Sequence, residues 1–85
     1  MKVKLFIYSN LKNYIKNYDE KNGILKEVSI PQSIRQFLNE TIHHERVIDA
    51  ISIVVVNKKV VPFREWNRHL KDKDVIKIYP PIGGG

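Results

Sequence analysis

The hydrophobic pattern changes its period several times along the chain, and each period predicts an element. Residues 3–8 are mostly apolar and aromatic, which predicts a β-strand. Alternation along this strand would place Val3, Leu5 and Ile7 on one face and Lys4, Phe6 and Tyr8 on the other. Residues 11–18 place apolar side chains at helical spacing, so a short helical stretch is expected there. After a polar turn, residues 24–30 predict a second strand. We expect these two strands to pair in antiparallel fashion.

A longer amphipathic helix is predicted in the middle of the chain. Ser33 precedes an apolar stripe and Gln36 follows three residues later, which is the capping-box pattern of a helix N-terminus. The stripe recurs every three to four residues, which predicts a helix as far as residue 43 or 44. The apolar members of this stripe are Ile34, Phe37, Leu38 and Ile42.

β-Branched residues dominate the next part of the chain. Residues 51–56 predict a third strand, and a tight turn then leads to a short fourth strand. Pro62 must end that strand or place it at a sheet edge, because proline has no N–H to donate. Residues 63–73 are predicted to be irregular, with Trp66 and Leu70 packed in a satellite of the core.

A last strand is predicted over 75–79, and the order of the elements then indicates a fold class. One helix can cover only one face of a sheet. The pattern is therefore typical of an α+β protein of the β-grasp type, with a mixed sheet of four to five strands packed on one main helix. We expect residues 1–79 to form this domain and residues 80–85 to form a flexible glycine-rich tail.

Strand alternation also predicts which side chains lie on the sheet face that the helix leaves open. Lys77 should face solvent in the last strand, and Ser52 should do so in the third, which places Ile53 and Val55 toward the helix. Exposed apolar patches usually mark partner surfaces, and Lys4 and Lys77 would border this one. A homodimer or a covering loop is the alternative. The predicted patch consists of Phe6, Tyr8, Val54, Val56, Val75 and Tyr79.

Composition excludes several classes of function. A chain of 85 residues makes one small domain, and the absence of cysteine excludes disulfides, thiolate metal sites and cysteine nucleophiles. The sequence has neither a membrane-length apolar run nor the apolar core of a signal peptide, so we expect a cytoplasmic domain without a membrane. The net charge is +6, but the basic residues are spread along the chain. That distribution does not favour nucleic-acid binding.

Other polar residues have structural interpretations. His43 and His44 are adjacent, so on a helix they point about 100° apart and cannot share a metal ion. We expect no metal site. Asp72 and Asp74 are expected in the turn before the last strand, and Asn57 in the hairpin turn, where its type tolerates left-handed geometry.

The end of the chain joins a conformationally restricted Pro-Pro pair to three glycines that have no side chain. Pro80 and Pro81 follow the last strand directly, and the chain finishes with Gly83, Gly84 and Gly85. A frayed terminus is the simplest interpretation of such glycines. Glycine also lacks a Cβ, so this tail could thread a narrow channel in another protein with its carboxylate leading.

Several segments together resemble the MoaD/ThiS-type sulfur carriers, which are ubiquitin-like proteins ending in Gly-Gly. The resemblance lies in residues 5–12, in the helix start at 33–38 and in Val55-Val56-Asn57. Its most specific part is residues 70–85, which are similar to the family pattern of Leu-x-Asp-Gly-Asp, an apolar strand, Pro-Pro and Gly-Gly. The Pro-Pro pair favours the MoaD side. The chain departs from the pattern by having lysine instead of glycine at positions 58 and 73.

The resemblance implies a protein co-substrate and not an enzyme. A ubiquitin-activating-type adenylating enzyme would use ATP to activate the Gly85 carboxylate, and sulfur would then replace AMP to leave a thiocarboxylate. Gly83 and Gly84 would give a slim approach, while Pro80, Pro81 and Ile82 would set its direction.

A second enzyme would take this sulfur for a molybdopterin- or tungstopterin-type cofactor or a related pathway. No cofactor would be bound to the carrier itself. Two alternatives stay open: a β-grasp binding module with an inert tail, which could contact RNA, and a ubiquitin-like modifier of lysines.

Overall fold

Five strands and two α-helices make up the computed structural model of the chain, which describes residues 1–29 and 31–81. The strands are β1 (Lys2–Ile7), β2 (Ile24–Glu27), β3 (Ile53–Val56), β4 (Lys59–Val61) and β5 (Val75–Tyr79). The helices are α1 (Ile34–Ile42) and α2 (Glu45–Asp49), and 3₁₀ turns occupy Ser9–Tyr14 and Phe63–Glu65.

The strands form one mixed sheet in the order β2-β1-β5-β3-β4. β1 and β2 pair antiparallel, as predicted, and β1 and β5 pair parallel although they stand at opposite ends of the chain. β3 lies antiparallel to both β5 and β4. A mixed sheet with one main helix is the β-grasp arrangement, so the predicted fold class is confirmed.

Helix α1 begins where its sequence indicates and ends at Ile42, one residue before the predicted end. The Ser33 hydroxyl accepts a hydrogen bond from Gln36 N at 3.1 Å, and Gln36 Oε1 accepts one from Ser33 N at 3.0 Å, so both halves of the capping box are formed. His43 closes the helix in the left-handed conformation with φ of 54°. The four apolar residues of the predicted stripe are all buried.

Several elements differ from the sequence prediction. The segment predicted as a helix over 11–18 is a 3₁₀ turn over 9–14. β2 ends at Glu27, and Ile30, predicted as its last residue, lies outside the described part of the chain. Helix α2 was not predicted, because it has five residues and no capping side chain. It occupies the chain just before β3, which starts two residues later than predicted.

The core lies between the sheet and α1. Residues of β1, β5 and α1 supply most of it, and Trp66 and Leu70 join it from the irregular segment, as predicted. Its most deeply buried side chains include Val3, Leu5, Leu11, Ile34, Phe37, Leu38, Ile76 and Ile78. No helix in residues 1–29 or 31–81 is long and apolar enough to cross a membrane.

The predicted facing of β3 is wrong. Val54 and Val56 are 1% and 3% exposed, whereas Ile53 and Val55 are only partly buried. Val54 lies opposite Ile78 in the sheet, and side chains opposite one another in neighbouring strands share a face. The prediction relied on Ser52, which precedes the strand, so its exposure carries no information on the strand's facing.

Candidate partner-docking face and tail exit

Strand β5 lies in the middle of the sheet and leads to the C-terminal tail. Its last residues are held on both sides, because Tyr8 N donates to Ile78 O at 3.1 Å and Ser52 N donates to Tyr79 O at 2.9 Å. The chain therefore leaves a rigid strand end at Pro80, which is partly buried, and Pro81, which is exposed. The predicted tail residues Ile82, Gly83, Gly84 and Gly85 lie outside the described residues.

Three aromatic side chains lie beside this exit on the sheet face opposite α1, which we call the open face. Tyr8 and Tyr79 stack with their ring centroids 4.7 Å apart and their planes inclined by 7°. The centroid of Phe6 lies 6.5 Å from that of Tyr8. All three lie on the face that strand alternation predicts for them, and their side chains are partly buried. The three rings form an apolar surface beside the point where the tail leaves the sheet. Their stacked arrangement is one that aromatic pairs favour.

The aliphatic part of the open face differs from the prediction. Val75 lies on it, as predicted, but Val54 and Val56 are in the core and Ile53 and Val55 take their place. Ile53 lies opposite Tyr79 and Val55 lies opposite Lys77.

Two exposed residues that the sequence did not single out extend the open face toward both sheet edges. Leu25 lies opposite Lys4, and Val60 lies opposite Val55. Both side chains are among the most exposed large hydrophobic groups in the described residues. Only the cross-strand register reveals their position, since neither stands out in a local sequence pattern.

Lysines accompany this apolar surface. Lys77 lies between Phe6 and Val55 in the sheet register, and Lys4 lies beside Val75. Asn57, Lys58, Val75 and Lys77 line a shallow hollow of about 250 Å³. The open face thus combines an apolar floor with positive charge, which suits a partner surface that carries apolar and acidic groups.

Two side chains from outside the sheet accept hydrogen bonds from the backbone of β1. The Tyr18 hydroxyl accepts a hydrogen bond from Ile7 N at 2.8 Å, and burial raises the pKa of Tyr18 above its ordinary value of 10.0, against the effect of this bond. Asp72 accepts a hydrogen bond from Lys2 N at 2.7 Å, which lowers the pKa of this carboxyl below 3.8. The tyrosine therefore stays neutral and the aspartate stays charged at neutral pH.

His43 and His44 serve as helix-end residues. His43 ends α1 and His44 precedes α2, where its ring meets that of Tyr14 edge-on at 5.2 Å. Residues 1–29 and 31–81 contain no group of three or more His, Cys, Asp or Glu side chains that could hold a metal ion.

Comparison with known proteins agrees with this geometry. The ThiS family model matches residues 12–85. No protein with a curated description matches the chain at a significant level.

Two solved structures have the same fold. One is described as a molybdopterin converting factor, subunit 1, from Pyrococcus furiosus, with a TM-score of 0.71 and 20% identity over 96% of this chain and 99% of that chain. The other is SAMP1 from Haloferax volcanii, with a TM-score of 0.72 and 12% identity over 100% of both chains. At these identities the likeness shows the β-grasp fold.

Proposed function

This chain belongs to the ThiS family of small ubiquitin-like carrier proteins, and we propose that it carries sulfur as a thiocarboxylate on Gly85. The observation that carries the proposal is the extent of the family match, which includes the whole Gly-Gly-Gly end. The position of the tail also supports the proposal. Because the tail starts from a strand end that is hydrogen-bonded on both sides, beside an apolar face, it leaves the domain toward a partner in a defined direction.

The proposed chemistry begins with a partner enzyme of the adenylating type. An oxygen of the Gly85 carboxylate attacks the α-phosphorus of ATP, and pyrophosphate leaves. The carbonyl carbon of the resulting acyl-adenylate is then attacked by a hydrosulfide equivalent, and AMP leaves with the bonding electron pair. A proton is released and a thiocarboxylate is formed. The carrier supplies the reacting carboxylate, and the partner supplies ATP binding and catalysis.

The tail residues have separate roles in this proposal. Gly83 and Gly84 pass through the partner's channel, because a Cβ at either position would widen the chain. Pro80 and Pro81 restrict the backbone just after β5, since the proline ring fixes φ. Ile82 completes this approach. The open face docks on the partner while the tail enters it.

For the recipient of the sulfur, we propose an acceptor enzyme that makes a molybdopterin- or tungstopterin-type cofactor. Two observations support this choice. The Pyrococcus furiosus protein with the same fold is described as a subunit of molybdopterin converting factor, and the present chain has the Pro80-Pro81 pair that resembles the MoaD side of the family.

An assay with a cognate adenylating enzyme tests the central step. With ATP and hydrosulfide, the intact mass should rise by the difference between one sulfur and one oxygen atom, and tandem fragmentation should place the change on Gly85. Pyrophosphate exchange should report adenylation without sulfur. A lysine isopeptide product instead would favour the modifier alternative.

Two tail variants serve as controls for this assay. Deletion of Gly85 should leave the circular dichroism spectrum unchanged and abolish the mass gain, because the remaining carboxylate falls short of the adenylation centre. Gly84→Val should fail in the same way, because its branched side chain obstructs the channel. A truncated chain that still gains sulfur would contradict the proposal and favour an inert tail.

A further inference from the structure

A second exposed cluster lies away from the open face, where the segment after β4 meets the start of α1. The Arg35 guanidinium carbon lies 4.6 Å from the centre of the Phe63 ring and 5.5 Å from that of Trp66. The two rings are 4.9 Å apart and tilted by 51°. Trp66 is 4% exposed, but Phe63 is 66% exposed. The Phe63 ring is therefore exposed at the surface and packs against the buried ring of Trp66.

The backbone beneath this cluster is firmly connected. Arg35 N donates to Trp66 O at 3.0 Å, and Ile34 N donates to Arg68 O at the same distance. These bonds satisfy N–H groups of the first turn of α1, which have no partner within the helix. Phe63 itself sits in a 3₁₀ turn. The cluster is thus held by two elements, and the display of Phe63 does not result from a loose loop.

The arginines of this cluster and of the segment after Phe63 form no ion pair within the described residues. Arg35 is partly buried, Arg64 and Arg68 are exposed, and Glu65 is the acidic residue within this segment. Across residues 1–29 and 31–81, the ion pair that the structure shows joins Lys12 to Glu20. No carboxylate of the described residues therefore lies within ion-pair distance of the three guanidinium groups. We call Arg35, Phe63, Arg64 and Arg68 the arginine patch.

We propose that the arginine patch docks a short acidic segment of a partner protein, in which carboxylates flank an apolar side chain. Guanidinium groups bind carboxylates through two parallel hydrogen bonds, and an exposed ring offers the apolar contact between them. Arg35 is already oriented by its contact with Phe63, so less side-chain entropy is lost on binding. The proposal is independent of the tail chemistry.

The small extent of the patch favours a peptide over a nucleic acid. Tight binding to nucleic acid draws on many phosphate contacts along a basic track. Here one arginine, Arg35, lies over a single aromatic ring, and Arg64, Glu65 and Arg68 belong to the short segment that follows Phe63. The lysines are spread along the rest of the chain. Because the patch includes the start of α1 and the open face is the side opposite α1, both surfaces can be occupied at once.

Titration with a blocked short peptide of alternating glutamate and leucine tests the proposal. Amide signals of residues 63–68 and of Arg35 should shift in nitrogen–proton correlation spectra, and the fluorescence of Trp66, the single tryptophan, should change. Phe63→Ala and Arg68→Gln should each weaken binding about tenfold, as expected when one apolar anchor or one charge-assisted hydrogen bond is lost. Arg46→Gln on α2 is the matched control and should leave the affinity unchanged.

Three results would overturn the proposal. Signals could shift only on the open face, the same peptide with glutamine in place of glutamate could bind equally well, or a single-stranded oligouridylate could bind the patch more tightly than the acidic peptide. Thermal unfolding of each variant shows whether it is folded, and both substituted side chains are exposed, so the variants should remain folded.

Discussion

Asn57 links two turns that are separate in the sequence. Its side-chain amide donates to Asp74 Oδ1 at 2.7 Å, and its own Oδ1 accepts a hydrogen bond from Val75 N at 2.9 Å. Asp74 is buried, and its second carboxylate oxygen accepts a hydrogen bond from Lys71 N at 2.8 Å. A buried carboxylate needs such partners because burial of an unpaired charge is costly. These bonds tie the β3–β4 hairpin to the start of β5.

Two lysines occupy turn positions where glycine would be easier to accommodate. Asn57 and Lys58 have φ of 50° and 72°, the left-handed pair of a type I′ hairpin turn, and Lys73 has φ of 69°. The two lysine positions are those at which the family pattern has glycine. The glycine positions of the family pattern therefore coincide with left-handed residues in this chain, which adopts that conformation despite the lysine Cβ.

Replacing Lys73 with glycine should stabilise the protein. The left-handed conformation costs a residue with a Cβ about 1–2 kcal/mol, and glycine avoids this cost. Glycine also has more conformational entropy in the unfolded chain, which offsets part of the gain. We therefore expect the free energy of unfolding to rise by about 0.5–1 kcal/mol. Urea unfolding measures the change. Lys71→Gly is the control, since Lys71 is not among the residues with positive φ, and it should gain nothing. Equal effects of the two substitutions would contradict this explanation.

At the scale of elements, β3 is the strand whose facing differs from the one that the sequence pattern predicts. Its sequence is Ile-Val-Val-Val, so both faces of the strand carry β-branched apolar side chains. Alternation cannot then distinguish inside from outside, and a shift of one residue reverses every side chain. The pairing of Val54 with Ile78 and of Val56 with Ile76 decides the matter.

A pair of isosteric substitutions tests this facing of β3. Val54→Thr should destabilise the protein by about 1–3 kcal/mol, because it buries a hydroxyl without a partner. Val55→Thr on the open face should cost clearly less, since its side chain is only partly buried. Thermal and denaturant unfolding of both variants give the comparison. A larger loss for Val55→Thr would mean that the facing is reversed after all.

At the scale of the whole molecule, the protein presents two separate surfaces and one exit for its tail. The open face contains the Tyr8–Tyr79 stack beside that exit, and the arginine patch lies where α1 begins. The centre of the molecule is a parallel pair, β1 and β5, and β5 leads directly into the tail. A carrier that binds more than one protein can use either surface for recognition while its tail stays accessible.

Tyr79→Ala should weaken binding to the adenylating enzyme while the melting temperature changes little. Tyr79 is partly buried and stacks on Tyr8, so truncation removes an aromatic contact that a partner could use, with an expected loss of tenfold or more, about the effect of an interface hot spot. Phe63→Ala is the matched control on the other surface and should keep full affinity. A large drop in stability of Tyr79→Ala would show instead that this residue belongs to the core.

The sequence by itself determined those features whose signals come from near neighbours. The capping box of α1 joins Ser33 and Gln36, which are three residues apart, and its two hydrogen bonds form as predicted. β5 has the predicted bounds of 75–79, because a turn residue precedes it and a proline follows it. The hairpin at Asn57 depends on the conformational tolerance of a single residue type.

Only the tertiary structure decided the facing of β3, the end of β2, the presence of α2 and the arginine patch. Each depends on contacts between residues that are far apart in the chain, such as Val54 with Ile78 or Arg35 with Phe63. Helix α2 is too short to be stable alone, and Val47 is buried in the core that supports it. Local patterns therefore specify the elements, and burial against distant partners selects their faces.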